Sequence, residues 1–170
     1  MKRLLLLLSF FCCLSAFAQR PNTNQYDAQG KKDGLWIENN DWSFYSSYKN
    51  GELNGLSFYF GPKRTLAAFA VYKDNQPVGT YVECDDFGRL SYIVLDCGKN
   101  TSYSITNEEG KRYVPDYKGY YIGYYADGGI ESEGILIWNK EDELQVDSIN
   151  YGEWKYYDRN GKVTIKHFPQ

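Results

Sequence analysis

The chain has one histidine, one methionine and five prolines in 170 residues. His167 lies close to the C-terminus, where chains fray. Catalysis by a His–Ser or His–Cys pair needs the base held rigidly against its nucleophile, so no catalytic residue is assigned. Four cysteines and one histidine do not offer zinc-ligand spacing, and no metal site is expected. No calcium-loop pattern is present, and Gly119-Tyr120-Tyr121-Ile122-Gly123 lacks the lysine and helix that follow a phosphate loop. No cofactor is implied. Basic clusters are missing too: 19 Lys and Arg stand against 22 Asp and Glu, which gives no electrostatic case for nucleic acid or anionic lipid. No segment after Leu14 approaches the roughly 20 apolar residues of a membrane span, so no transmembrane anchor is expected. No stretch carries a convincing helical stripe.

The first 18 residues read as a secretory signal peptide. Met1-Lys2-Arg3 is a short basic start, Leu4 to Leu14 is almost wholly apolar, and Ala16-Phe17-Ala18 places small residues at the cleavage positions. The reading predicts one exported domain over 19–170 that is periplasmic, cell-surface or secreted. Loss of Lys2 and Arg3 makes it more acidic than the formal −3 of the whole chain. Lipidation of Cys12 is disfavoured by the bulky Phe11 before it.

Aromatics and glycine are what the sequence has in quantity: 17 tyrosines, 4 tryptophans, 9 phenylalanines and 16 glycines. Leu, Ile, Val and Phe make only about a fifth of the exported part, near the composition limit for disorder. Tyr and Trp compensate, since each buries a large area while keeping one polar handle wet. The composition is that of a β protein.

Repeats are visible by eye. Tyr26 to Trp36, Tyr48 to Phe58 and Tyr72 to Tyr81 each run from a Tyr through a polar turn to a Gly and then an aromatic. The anchoring glycines Gly34, Gly55 and Gly79 are 21 and 24 residues apart, and Gly152 in Tyr151-Gly152-Glu153-Trp154 echoes them. Asn50-Gly51, Asp127-Gly128 and Asn160-Gly161 tolerate positive φ and are expected to close tight hairpins. Strand-like text includes Thr65 to Tyr72, Thr80 to Cys84 and Leu90 to Leu95, with period-two alternation clearest in Glu131 to Trp138 and Glu153 to Tyr157.

These units resemble MORN-type repeats, in the divergent form of the YwqK-type, antitoxin-like group. Asp33-Gly34-Leu35-Trp36-Ile37-Glu38, Tyr48-Lys49-Asn50-Gly51-Glu52-Leu53-Asn54-Gly55 and Tyr151-Gly152-Glu153-Trp154 carry the likeness. It is good over 26–95, patchy over 119–163 and absent over 99–118. Pro77 replaces the usual linker residue, and Phe58 lies three residues after its glycine where Trp36 lies two. The resemblance implies an all-β fold, an elongated antiparallel β-meander of stacked hairpins forming one twisted sheet. Repeats are expected over about 26–98 and 119–165, with an irregular insertion over about 99–118.

Function follows from the aromatics. Trp36, Phe58, Tyr81, Tyr121, Tyr125 and Trp154 are expected to align in a ladder that forms the repeat core. Tyr45, Tyr59 and Tyr157 are then expected on the opposite face, as the binding surface. Exposed Tyr and Trp suit a protein, peptide or glycan partner, here one in the cell envelope. The alternative from another class is a carboxylate-dependent hydrolase of envelope glycans. Glu131 and Glu133 lie two apart on a strand and so share a face, but such an enzyme needs two acids about 5 to 10 Å apart across a cleft, one with a raised pKa. A meander presents a surface instead. An antitoxin-like neutralising role, implied by the resemblance, conflicts with the export signal. Asp147-Ser148-Ile149 has the form of a short bacterial O-glycosylation acceptor.

The two cysteines outside the leader, Cys84 and Cys97, sit in an oxidising compartment that favours a bridge. Geometry opposes it. A turn centred near Phe87 pairs Cys84 with Leu90 and Cys97 with Pro77, which separates the cysteines by roughly 20 Å. A disulfide needs Cα atoms within about 7 Å, so the pair is expected to be unbridged unless the chain turns back near Gly98.

Overall fold

A computed structural model describes residues 22–107, 109–140 and 148–170. The leader 1–18, the chain start at Gln19 and Asp147 of the acceptor tripeptide lie outside the described residues. The chain is all-β, with one open antiparallel sheet of eleven strands and a small separate hairpin. Among the described residues no helix is long and apolar enough to cross a membrane.

The sheet begins with β1 (Gln25–Tyr26), β2 (Lys32–Asn39), β3 (Ser43–Lys49), β4 (Glu52–Phe60), β5 (Leu66–Lys73), β6 (Gln76–Cys84) and β7 (Leu90–Lys99). The chain then leaves the sheet for β8 (Ile105–Thr106) and β9 (Arg112–Tyr113), which pair with each other. It returns as β10 (Tyr117–Tyr124), β11 (Ile130–Trp138), β12 (Ile149–Tyr157) and β13 (Val163–His167). Every strand pairs with its neighbour in the chain, and β10 takes the place beside β7. The excursion thus corresponds to the insertion that broke the sequence rhythm.

Turn chemistry explains the hairpins. Asn50 and Gly51 both have positive φ and close a two-residue turn, as do Asp74 and Asn75 without any glycine. Asp127-Gly128 and Asn160-Gly161 do not close two-residue turns, contrary to expectation. They fill the third and fourth positions of five-residue turns, where only the glycine is left-handed. The same turn recurs at 27–31, 85–89, 107–111 and 158–162. In each, the fourth residue's N–H donates to the first residue's carbonyl. The first residue is Asp or Asn, and its side-chain oxygen accepts the N–H of the fifth.

The repeat glycines work inside strands. Gly34, Gly55, Gly79 and Gly152 have φ of +73°, +115°, +75° and +65°. At Gly55, Gly79 and Gly152 the strand carries two more residues than its preceding neighbour, a bulge that increases local twist. Two smaller register shifts also move Cys97 opposite Gly79 rather than Pro77, while Cys84 pairs with Leu90. Both cysteines are free.

The core lies on one face, called inner here. Val94, Cys97, Leu136, Trp138 and Trp154 are buried together, with Tyr81, Tyr92, Tyr117 and Tyr121 packed against them. The indole N–H of Trp138 on β11 donates to the Gln76 side chain on β6 at 3.2 Å, and Gln76 donates to the Lys140 carbonyl at 2.7 Å. Two strands separate β6 from β11, so a flat sheet would hold them roughly 14 Å apart. The sheet therefore curls, and the buried rings fill the curl.

Candidate functional site

The inner face carries an aromatic ladder set over small residues. Paired positions run Trp36, Ser46, Ser57, Ala70, Tyr81, Val94, Tyr121 and Gly134 from β2 to β11. Trp154 lies over Gly134, 5.4 Å from the Tyr121 ring. Tyr92 stacks between Tyr81 at 5.9 Å and Tyr121 at 5.2 Å. At the other end Trp36 meets Tyr48 at 6.2 Å, and Phe44 meets Tyr59 at 5.2 Å.

This geometry places Trp36, Tyr81, Tyr121 and Trp154 on one face, each two residues after a glycine, and corrects three other assignments. Phe58 lies on the outer face, opposite Tyr45 and Phe69, because an odd offset from Gly55 reverses its direction. Ser57 holds the ladder position. Tyr59, expected on the opposite face, belongs to the ladder. Tyr125 is outside it: β10 ends at Tyr124, and Tyr125 opens a turn where its hydroxyl donates to the Tyr157 carbonyl at 2.6 Å. Tyr45 and Tyr157 are on the outer face, but far apart, on β3 and β12.

The ladder has a wide gap at β5. Its inner residues Ala68 and Ala70 are buried and small, so nothing fills the space between Tyr59 on β4 and Glu83 on β6. A hollow of about 660 Å³ opens there. Its walls include Phe44, Tyr59, Tyr72 and Tyr81, with Trp42, 42% exposed, at the lip. Glu83 anchors the far wall: its Oε2 accepts the hydroxyls of Tyr81 at 2.9 Å and Tyr92 at 2.8 Å. Burial first, then the neighbouring Tyr81 and Glu83, pushes the Tyr92 hydroxyl far above its usual range, so it stays a donor. Burial does the same for Tyr72, which has Tyr59 beside it. Asp85 and Asp86 line the rim beside Lys63. The Asp85 carboxyl is held below its ordinary value, chiefly by Arg89. Lys63 and the Arg89 guanidinium on Asp85 balance the two rim aspartates, so the negative charge of the site comes from Glu83.

Chemically, the hollow offers flat rings, fixed hydroxyls and carboxylates. It offers no activated nucleophile. Cys84 is at its edge, but burial raises its thiol pKa, whereas a reactive cysteine needs the reverse. His167 stands on the edge strand β13. Among the described residues no group of three or more His, Cys, Asp or Glu could hold a metal ion.

Glu131 and Glu133 lie elsewhere. Glu133 is on the outer face, where its carboxylate accepts the Tyr157 hydroxyl at 2.7 Å and faces Lys155 at 3.5 Å. The Tyr157 hydrogen bond, supported by Tyr120 and Lys155, lowers its pKa. A glycosidase acid needs a raised one. Glu131 is exposed, and neither residue lines the hollow.

The sequence alternation did not reveal the gap. Its signal was Ala67-Ala68-Phe69-Ala70, a run of small residues amid aromatic strands. No protein-family model, curated protein or solved structure matches the chain.

Proposed function

We propose that the protein is an exported, non-enzymatic MORN-like repeat protein that binds an envelope peptide or glycan in the inner-face hollow. The observation that carries this reading is the gap in the aromatic ladder: a ring-walled hollow with fixed hydroxyls, made because β5 presents only Ala68 and Ala70 there. Pockets of this size, mostly apolar with a few placed polar groups, are the usual form of binding sites. The recurring Gly-x-ring units support the repeat resemblance, and the leader supports export. The Glu83 carboxylate on the wall favours a neutral or cationic ligand over an anionic one. A hydrolase reading has less support, since the lowered pKa of Glu133 suits a fixed structural carboxylate.

Titration of the protein with defined oligosaccharides and extended basic or neutral peptides tests the reading. At least one class should bind saturably, and Tyr59→Ala or Glu83→Gln should weaken it tenfold or more with the fold intact. Binding unchanged by both substitutions, or turnover of any of these probes, would overturn it.

A further inference from the structure

The outer face of the sheet poses a separate question, independent of the hollow. In register from β2 to β10 run Ile37, Tyr45, Phe58, Phe69, Val82, Ile93 and Ile122. All are half-buried, and none is charged. The flanking Leu56 and Val71 are 44% and 42% exposed. Strands make extensive contact only with their sheet neighbours, so among the described residues no second layer of strands covers this row. Charge returns at its end, where Ile122 is followed by Glu133 and Lys155.

The chain covers the same face where it can reach. Tyr103, on the excursion between β7 and β10, packs on Tyr151 at 4.7 Å, and the Lys118 ammonium lies over the Tyr103 ring. Ile137, in register with Lys118, is fully buried. Among the described residues the apolar row remains open.

We propose that a second copy of this chain covers the row, with two sheets packed outer face to outer face about a two-fold axis. Area supports this choice. Six facing strands, β3 to β10, about 4.8 Å apart and a row with its flanks roughly 20 Å deep give a flat footprint of at most about 580 Å² before side-chain relief. Standard interfaces bury about 800 Å² per partner. Composition supports it too, because charge-depleted apolar cores mark homodimers more than transient partners. Shape gives a third argument. The rings of Tyr45, Phe58 and Phe69 occupy one half of the row, and the β-branched Val82, Ile93 and Ile122 occupy the other. A two-fold axis along the strands, between β5 and β6, sets each ring over a branched side chain: Phe69 over the partner's Val82, Phe58 over the partner's Ile93, Tyr45 over the partner's Ile122. Such an isologous contact closes at two copies.

Sedimentation velocity with fluorescence detection on the purified protein from about 1 nM to about 100 µM, roughly the span from tight to weak specific affinities, tests the proposal. The expected result is a species of twice the chain mass. Val71→Lys and Leu56→Lys occur twice in the contact, so at about tenfold per lysine each should raise the dimer Kd roughly 100-fold with circular dichroism unchanged. Phe87→Lys, in an exposed turn, should leave the dimer intact. A monomer throughout the range overturns the proposal, as does a dimer that survives both lysines. A monomer that floats with phosphatidylcholine–phosphatidylglycerol vesicles through these residues assigns the face to lipid and also overturns it.

Discussion

Gly134 on β11 tests the ladder directly. A Cβ built there would overlap the Trp154 indole well inside the 3.0 Å that real Cβ atoms keep. The ring cannot yield easily. It is 4% exposed, it lies 5.4 Å from Tyr121, and its N–H donates to the Ile135 carbonyl at 3.0 Å. Gly134→Ala therefore forces strain of about 1–3 kcal/mol. Loss of the indole hydrogen bond adds about 0.5–1.5 kcal/mol. A net destabilisation near 3 kcal/mol lowers Tm by roughly 10 °C for a chain of this size. Urea unfolding followed by tryptophan fluorescence and far-UV circular dichroism measures it. The cost should shrink by more than half in a Trp154→Leu background, because the two sites are coupled through the overlap. A cost below about 0.5 kcal/mol, or one unchanged by Trp154→Leu, would refute the reasoning.

Two further outcomes are expected. Ser57 is fully buried in the ladder position, and its hydroxyl has no hydrogen-bond partner among the described residues. Ser57→Ala should then raise the urea midpoint, stabilising by about 1 kcal/mol, and a loss of stability would mean the hydroxyl is satisfied. Glu133 has its carboxyl pKa lowered from the ordinary 4.5, first by Tyr157. A depressed folded-state pKa contributes stability that is full above the unfolded value and lost as pH falls through the folded one. The stability gap between the protein and Glu133→Gln should be constant from pH 7 to about 5 and close below pH 4.5, and a gap that widens in acid would refute this linkage.

The legible part of the fold was the part set by local chemistry. Asn50-Gly51 marked its turn, and the Gly-x-ring units marked bulged strands, because left-handed glycines and ring direction depend on a few adjacent residues. Phe58 and Tyr59 were misassigned because a bulge sums several local φ values, and a single offset residue reverses a face. Tyr125 failed for a related reason: a strand end is set by where the next turn begins. Asp74-Asn75 falls in the polar turn of the Tyr72 to Tyr81 unit, and both residues adopt the left-handed region without glycine. The hollow escaped notice since it consists of what is missing, the side chains that Ala68 and Ala70 lack. Nothing in a one-dimensional pattern showed that Gln76 would meet Trp138, since that contact depends on accumulated twist.

The neighbour-to-neighbour order of the strands has a consequence for how the molecule is made. A chain emerging end first, from a ribosome or through a membrane pore, can add each new strand to an edge that already exists. None of the eleven must wait for a distant partner, unlike strands in Greek-key sandwiches, whose slow folding reflects long loop closures. The growing edge is exposed at every step, and the next sheet strand covers it within a few residues except after β7 and β11, where 100–116 and 139–148 intervene. Contacts across the curl depart from this schedule. Gln76 emerges early and has no indole to accept from until Trp138 follows, 62 residues later, so the curl sets only once β11 is in place and the early strands assemble as an open ribbon.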